Sequence, residues 1–327
     1  MGKKYTILKR WLLIVLGLSL YVNWIIAGAQ EKTPNLIECS NVGKFEINNT
    51  GPYLEDLKYN YTSVNRNEIK YLIHFINSFE LIETKRRYVS DSRSFSIKVY
   101  MNDKSIKNYG FDAGRFYISE NKKDYMMNKN EYNRFLEFVY ALKTGTIKLG
   151  GNISFEPSEW AKGEVDTAVE EGIVPKWNQI NYQGEILRLE VCQLVGNVLE
   201  KEGYTIGEEA TYFTDTADES IALLRQLNII NGKTEELFCP YDFITREELA
   251  KILSNMYSLI GNEKEIPEYK IAYTDKESIS EWAEKGVMEM TALGILKGNE
   301  NREFKPQAKV TKEETILALF RLVDIKH

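Results

Sequence analysis

The chain writes one phrase twice near its C-terminus: Phe243-Ile244-Thr245-Arg246-Glu247-Glu248, then Lys309-Val310-Thr311-Lys312-Glu313-Glu314. Each carries an apolar residue, Thr, a base and two acids, followed by apolar residues at helical spacing. Thr-x-x-Glu is a capping box: the Thr hydroxyl accepts the N–H of the third helical residue, and the Glu carboxylate reaches back to the Thr N–H. Thr245 with Glu248, and Thr311 with Glu314, therefore mark two helix starts. Ile244 against Leu249 adds a hydrophobic staple. Leu249, Leu253, Met256 and Ile260 form one buried stripe, and Ile316, Leu319, Phe320 and Val323 supply the other. A weaker third copy reads Glu185-Ile186-Leu187-Arg188-Leu189-Glu190. Leu187 stands where Thr would cap, a loss worth roughly 0.5–2 kcal/mol.

The residues ahead of each box repeat as well. Each preceding segment is an amphipathic helix that ends near Gly or Asn and an apolar pair: Ile173-Val174, Ile229-Ile230, Ile295-Leu296. Phe238-Cys239-Pro240 and Phe304-Lys305-Pro306 share a Phe-x-Pro that stops the loop before the box. Each unit is thus helix, loop, helix. One such unit cannot bury its own apolar face, but three stacked together can.

Composition narrows the chemistry. The chain has 327 residues, 43% of them apolar, and a net charge of −6, enough for two domains or more and without the basic excess of a general nucleic-acid binder. It has two histidines, His74 and His327, and three cysteines, Cys39, Cys192 and Cys239. A Ser/His/Asp triad would need His74, whose surroundings favour a half-buried structural role. A multi-histidine metal site is excluded. Widely spaced cysteines give no disulfide framework and no zinc knuckle, and Cys192 and Cys239 read as plain buried thiols. Cys39 follows no lipobox. A carboxylate pair is the one common catalytic apparatus left, and no acid pair stands out. No catalytic residue, metal site or cofactor is expected.

Residues 1–29 read as a secretory signal peptide: Lys3, Lys4, Lys9 and Arg10, an apolar core from Trp11 to Ile26, and Ala27-Gly28-Ala29 as a cleavage site. The core is short for a spanning helix, so no membrane span is expected after cleavage. Residues 30 to about 60 read as a polar lead-in with weak strand character. A helix follows, with Ile69, Leu72, Ile73, Ile76 and Phe79 on one face, then strand-like runs including Phe95-Ser96-Ile97-Lys98-Val99-Tyr100-Met101. A second helix carries Phe135, Phe138, Val139 and Leu142. This predicts an α-β-β-β-α module with an antiparallel sheet against helices. The basic run at 85–88 reads as a solvated edge.

The ordered set of motifs resembles the S-layer homology domain. Tyr273-Thr274-Asp275, Trp282-Ala283, Gly294-Ile295-Leu296-Lys297-Gly298, Phe304-Lys305-Pro306 and Val310-Thr311-Lys312-Glu313-Glu314 carry it in the third copy. Phe213-Thr214-Asp215, Phe238-Cys239-Pro240 and Ile244-Thr245-Arg246-Glu247-Glu248 carry it in the second, and Trp160-Ala161 and Gly172-Ile173 in the first. The resemblance implies a mainly α triplet of helix-loop-helix units arranged as a three-pronged pseudo-trimer. It also implies binding of an acidic, often pyruvylated, secondary cell-wall polysaccharide in grooves between prongs, on the surface of a Gram-positive-type bacterium.

A base opens each box helix: Arg188, Arg246 and Lys312. A cation there opposes the helix dipole. It fits either an anion held between base and helix or a long side chain pointing into water. The resemblance implies the former, with Arg246 first, then Arg188, then Lys312, because Lys lacks the bidentate fork. Trp160 and Trp282 join them as groove-lining candidates, although packing of the prongs is the stronger expectation. The predicted division is a signal peptide (1–29), an α+β module of unknown ligand (30–148), a linker (149–157) and repeats at 158–205, 206–262 and 263–327. Two other readings are a triplet that serves protein contacts only, and a carboxylate hydrolase of wall glycans in the N-terminal module.

Overall fold

The computed structural model describes residues 42–49, 60–79, 81–84, 95–112, 115–118, 123–127, 135, 138, 139, 142, 153–260, 266, 270 and 272–325. The expected signal peptide, Cys39, the basic run at 85–88, the linker glycines Gly145, Gly150 and Gly151, and His327 lie outside the described residues.

The N-terminal module is a seven-stranded sheet with helices. Its elements are β1 (Val42–Asn49), β2 (Asn60–Ser63), α1 (Arg66–Asn77), β3 (Leu81–Thr84), β4 (Phe95–Met101), β5 (Ile106–Asp112), β6 (Arg115–Ile118) and β7 (Lys123–Met127). The strand order is β2-β1-β4-β5-β6-β7-β3, with every pairing antiparallel. Alternation fixes the register. Phe45 lies opposite Val99 and Ile47 opposite Ile97, and Ile97 in turn lies opposite Tyr109. All five are buried on one face. Asn65 caps α1 through its side-chain oxygen, and Ile69, Leu72, Ile73 and Ile76 cover the sheet. Phe135, Phe138, Val139 and Leu142 are helical and buried as expected. Phe135 meets Phe95 edge-on at 5.2 Å.

One expectation is corrected here. The weak strand character expected before residue 60 is realised at Val42–Asn49, but that segment is no mere lead-in: β1 lies between β2 and β4, with Phe45 and Ile47 in the core. Lys44, Glu46 and Asn48 alternate with those two residues and mask the strand in composition.

The C-terminal half has one contiguous core built from α2 (Lys162–Glu170), α3 (Arg188–Lys201), α4 (Glu219–Gln226), α5 (Arg246–Leu259), α6 (Glu281–Ala292) and α7 (Lys312–Asp324). The box helices are α3, α5 and α7. Each box helix packs on the first helix of the next copy: α3 on α4, α5 on α6, and α7 back on α2. The residues just before the boxes close a ring of backbone hydrogen bonds. Ile186 N–H donates to Val310, Val310 N–H to Ile244, and Ile244 N–H to Ile186. The first two N–H groups of each box helix, which have no partner inside the helix, are taken up by the neighbouring copy. Arg188 and Leu189 donate to Asp242 and Pro240, Arg246 and Glu247 to Ala308 and Pro306, and Lys312 and Glu313 to Gly184 and Tyr182.

The second acidic position is used across copies too. Glu247 accepts both the N–H and the hydroxyl of Ser280 at the start of α6. Glu313 does the same for Ser158 before α2. The first copy has Leu189 there, and Asp218 caps α4 with its own carboxylate. The Asp of Phe213-Thr214-Asp215 and that of Tyr273-Thr274-Asp275 are loop staples. Asp215 accepts the N–H groups of Phe238 and Cys239, and Asp275 those of Phe304 and Lys305. Cys239 and Lys305 both sit at positive φ, 58° and 57°. Cys239 is therefore a half-exposed loop residue rather than a buried core thiol, whereas Cys192 is buried as expected.

The capping boxes form as written, with Thr245 and Thr311 hydroxyls accepting from Glu248 and Glu314 N–H. In the first copy only half remains: Glu190 accepts the Leu187 N–H. Thr245→Val and Thr311→Val should each lower the unfolding free energy by about 1 kcal/mol, read by urea denaturation. Arg321 on α7 forks onto Glu164 of α2 at 2.8 and 2.9 Å. This pairing holds the Glu164 carboxyl below the usual carboxylate range. Its stabilisation is therefore present above the unfolded carboxylate pKa and lost as pH falls through the lowered folded value. The pair is partly exposed, so Arg321→Ala should cost about 0.5–1 kcal/mol near neutral pH. That difference should shrink towards zero in acid melts.

Candidate functional site

The side chains of the three bases that open the box helices are all engaged within the protein. They fold onto the next copy's loop. Arg188 donates from Nε to the Phe238 carbonyl at 3.1 Å, from Nη2 to Asn231 at 3.2 Å and from Nη1 to Glu248 at 3.1 Å. Its guanidinium lies 4.5 Å from the Phe238 ring centre. Arg246 repeats the pattern on Phe304 at 2.8 Å and Lys297 at 2.6 Å, over the Phe304 ring at 5.1 Å. Lys312 donates to the Ile180 carbonyl at 2.8 Å and pairs with Glu190 at 2.7 Å. Carbonyl oxygens in every copy, joined by an aromatic face under each arginine and by Glu190 at Lys312, offset the unfavourable helix dipole. The reading in which the side chain simply points into solvent is overturned for Arg188 and Lys312, which are 6% and 1% exposed.

The three positions differ in what remains available. Glu248 is saturated: it holds Arg188, Lys233 at 2.6 Å and the Thr245 N–H. These partners outweigh burial and keep its carboxyl below the usual range. Arg246 is half-buried, and desolvation holds its guanidinium below the usual value.

The packing expectation for the tryptophans is wrong. Trp160 and Trp282 are 63% and 52% exposed, while the adjacent Ala161 and Ala283 are fully buried. The small residue is buried and the large one faces out.

Next to Arg246 lies an open recess of about 240 Å³, lined by Tyr273, Thr291, Lys297, Gly298, Asn299 and Arg302. The Tyr273 hydroxyl is 3.0 Å from Thr291 Oγ1. Gly298 is required because a Cβ there would lie 2.6 Å from the Tyr273 ring; Gly232 stands in the same relation to Phe213. Sequence reasoning passed over Lys297 and Arg302. Their signal was two bases in one short loop, and nothing in the linear pattern aimed them at a common space. Among the described residues no group of three or more His, Cys, Asp or Glu could hold a metal ion, and no helix is long and apolar enough to cross a membrane.

The family model for the S-layer homology domain matches residues 214–250 and 272–316. The chain carries S-layer homology domains. The two matched segments fall in the second and third copies, and the first copy completes the same ring of contacts. An endoglucanase of Bacillus sp. (strain KSM-635) is 31% identical over 107 residues, 33% of this chain and 11% of that protein. A cellulosome-anchoring protein of Acetivibrio thermocellus is 24% identical over 148 residues, 43% of this chain and 33% of that protein. The surface-layer 125 kDa protein of Lysinibacillus sphaericus is 25% identical over 178 residues, 51% and 14% respectively. The chain therefore spans a third or less of each of these relatives.

The geometry separates the bases of the S-layer homology repeats by role. Arg188→Ala should cost about 3 kcal/mol, because it strips a buried, paired cation from three acceptors. Arg246→Ala should cost less. Paired urea titrations read the difference.

Proposed function

We propose that this is an exported, non-enzymatic surface protein. Its S-layer homology repeats, read as a three-pronged pseudo-trimer, tether it non-covalently to an acidic secondary cell-wall polysaccharide. The α+β module is displayed outward as a binding or assembly element. The observation that carries the reading is the position of Arg246: half-buried, pinned by two carbonyls and beside a recess that holds two further bases. A fixed cation at a helix N-terminus next to a basic cavity favours a carboxylate-bearing ligand. Similarity to proteins named for anchoring and for surface layers supports the same assignment. Arg188 and Lys312 belong to this reading as struts that hold the loops in place, with Arg246 the contacting base. Trp160 and Trp282 present exposed rings suited to stacking on sugar faces.

A second reading, protein contacts without wall binding, draws on those same exposed tryptophans, since large aromatic side chains are also the anchors of protein interfaces. Co-sedimentation of the full chain with purified sacculi separates the two. The tether predicts that binding is lost when the acidic polysaccharide is stripped, and that Arg246→Ala weakens it at least tenfold. Undiminished binding to stripped sacculi would sink the tether.

A further inference from the structure

The loops of the second and third copies correspond residue by residue on either side of a first helix that is longer in the third copy. Phe213 matches Tyr273, Asp215 matches Asp275, and Asn228 matches Gly294, both at positive φ (56° and 72°). Thr214 N–H donates to Glu236 just as Thr274 N–H donates to Arg302. The second copy should therefore own a recess like that of the third, yet its counterpart is occupied by its own side chain. Arg225 stands where the third copy has Thr291. Its guanidinium lies 4.0 Å from the Phe213 ring centre and donates to the carbonyls of Tyr212 at 3.2 Å and Glu235 at 3.1 Å. Thr291 is too short to do this, and its hydroxyl stays within reach of the Tyr273 hydroxyl instead.

The rim changes in step with the plug. Lys297 and Arg302 stand where the second copy has Asn231 and Glu236. Neither Lys297 nor Arg302 has a salt-bridge partner among the described residues, and both are exposed. Arg302 is held in a left-handed backbone conformation, φ 57°, by bonds that tie Asn299 to Glu303 and Arg302 to Asn299. The loop is thus set before any ligand arrives. The first copy offers Val169 and Pro175 at the Thr291 and Lys297 positions. The third copy's recess is open and carries two bases, the second copy's is plugged by Arg225, and in the first copy Lys201 lies over the matching loop and donates to the Glu171 and Gly172 carbonyls.

We propose that the chain binds one acidic sugar residue, in the recess between Lys297 and Arg302, and that the second copy is held closed by Arg225. This rests on the polysaccharide reading above and adds its site and its stoichiometry. The two bases would flank the sugar carboxylate, and the Tyr273 ring would form the floor. At about 240 Å³ the recess is smaller than the roughly 300–1,000 Å³ of pockets for drug-sized ligands. It matches one monosaccharide rather than a chain.

The test uses the full chain and a pyruvylated N-acetylhexosamine as probe, with the uncharged N-acetylhexosamine as comparator, in titration calorimetry. One site per chain is expected for the acidic probe. Lys297→Ala and Arg302→Asn should each weaken it at least tenfold; Asn tolerates the left-handed conformation, and both positions are exposed, so folding is preserved. Thr291→Arg is the decisive variant. It adds positive charge but copies the plug of the second copy, so binding should be lost. Tighter binding by Thr291→Arg would mean diffuse charge attraction and would overturn the proposal, as would two or more sites in the wild type. Sacculus sedimentation is run in parallel. A chain that sediments yet ignores the probe, or still sediments after loss of both bases, overturns this site and leaves the tether standing. A wild type that does not sediment removes the tether reading together with this one.

Discussion

Three backbone hydrogen bonds, from Ile186 to Val310, from Val310 to Ile244 and from Ile244 to Ile186, hold the C-terminal half together in the sense that everything else is arranged around them. They join residues far apart in sequence, so each closes a long loop at an entropic cost that local contacts do not carry. Burial of the same three side chains, each 0–1% exposed, offsets that cost. Because the ring is made of main chain, it survives changes in the side chains around it. Leu187 replaces a capping Thr, and Leu189 replaces a helix-capping Glu, without breaking the cycle.

Within that fixed frame the copies have diverged in what they present. The cross-copy caps of Glu247 and Glu313 have given way to Asp218 in one position. The base at each box helix has kept its carbonyl partners in all three copies. Structural roles are therefore repeated with small losses. The open recess with its basic rim belongs to the third copy and the Arg225 plug to the second. A repeat architecture tolerates such divergence: a side-chain change at an exposed loop rim leaves the main-chain contacts in place, whereas a change at the ring would disturb two neighbours.

Much of this was legible in the sequence. The Thr-x-x-Glu boxes, the helix stripes and the repeat itself follow from spacing, and they landed where the spacing put them. The strand Phe95–Met101 was equally legible from its alternation. Three kinds of feature were not. Val42–Asn49 showed only weak strand character, and its central place was not legible, because charged and amide residues occupy its other face and few apolar residues mark it. The fate of the box bases depended on carbonyls delivered by another copy, which no local pattern encodes. The tryptophans were read as packing between prongs, but they are exposed beside alanines that are fully buried, a choice of face that local sequence does not reveal. Lys297 and Arg302 were visible as charges but not as neighbours.

The offset pairing, in which each box helix packs on the next copy's first helix, also sets how the molecule carries load. A pull delivered from the N-terminal module arrives at α2, and α2 is seated against α7, the last helix of the triplet, with Arg321 forked onto Glu164 at the seam. Tension is therefore passed to the third repeat, beside the open recess, without first running through the second. The helix pair that would take such a pull is made of the triplet's first and last helices together. Peeling it open means breaking a joint between distant parts of the chain rather than unravelling one repeat at a time.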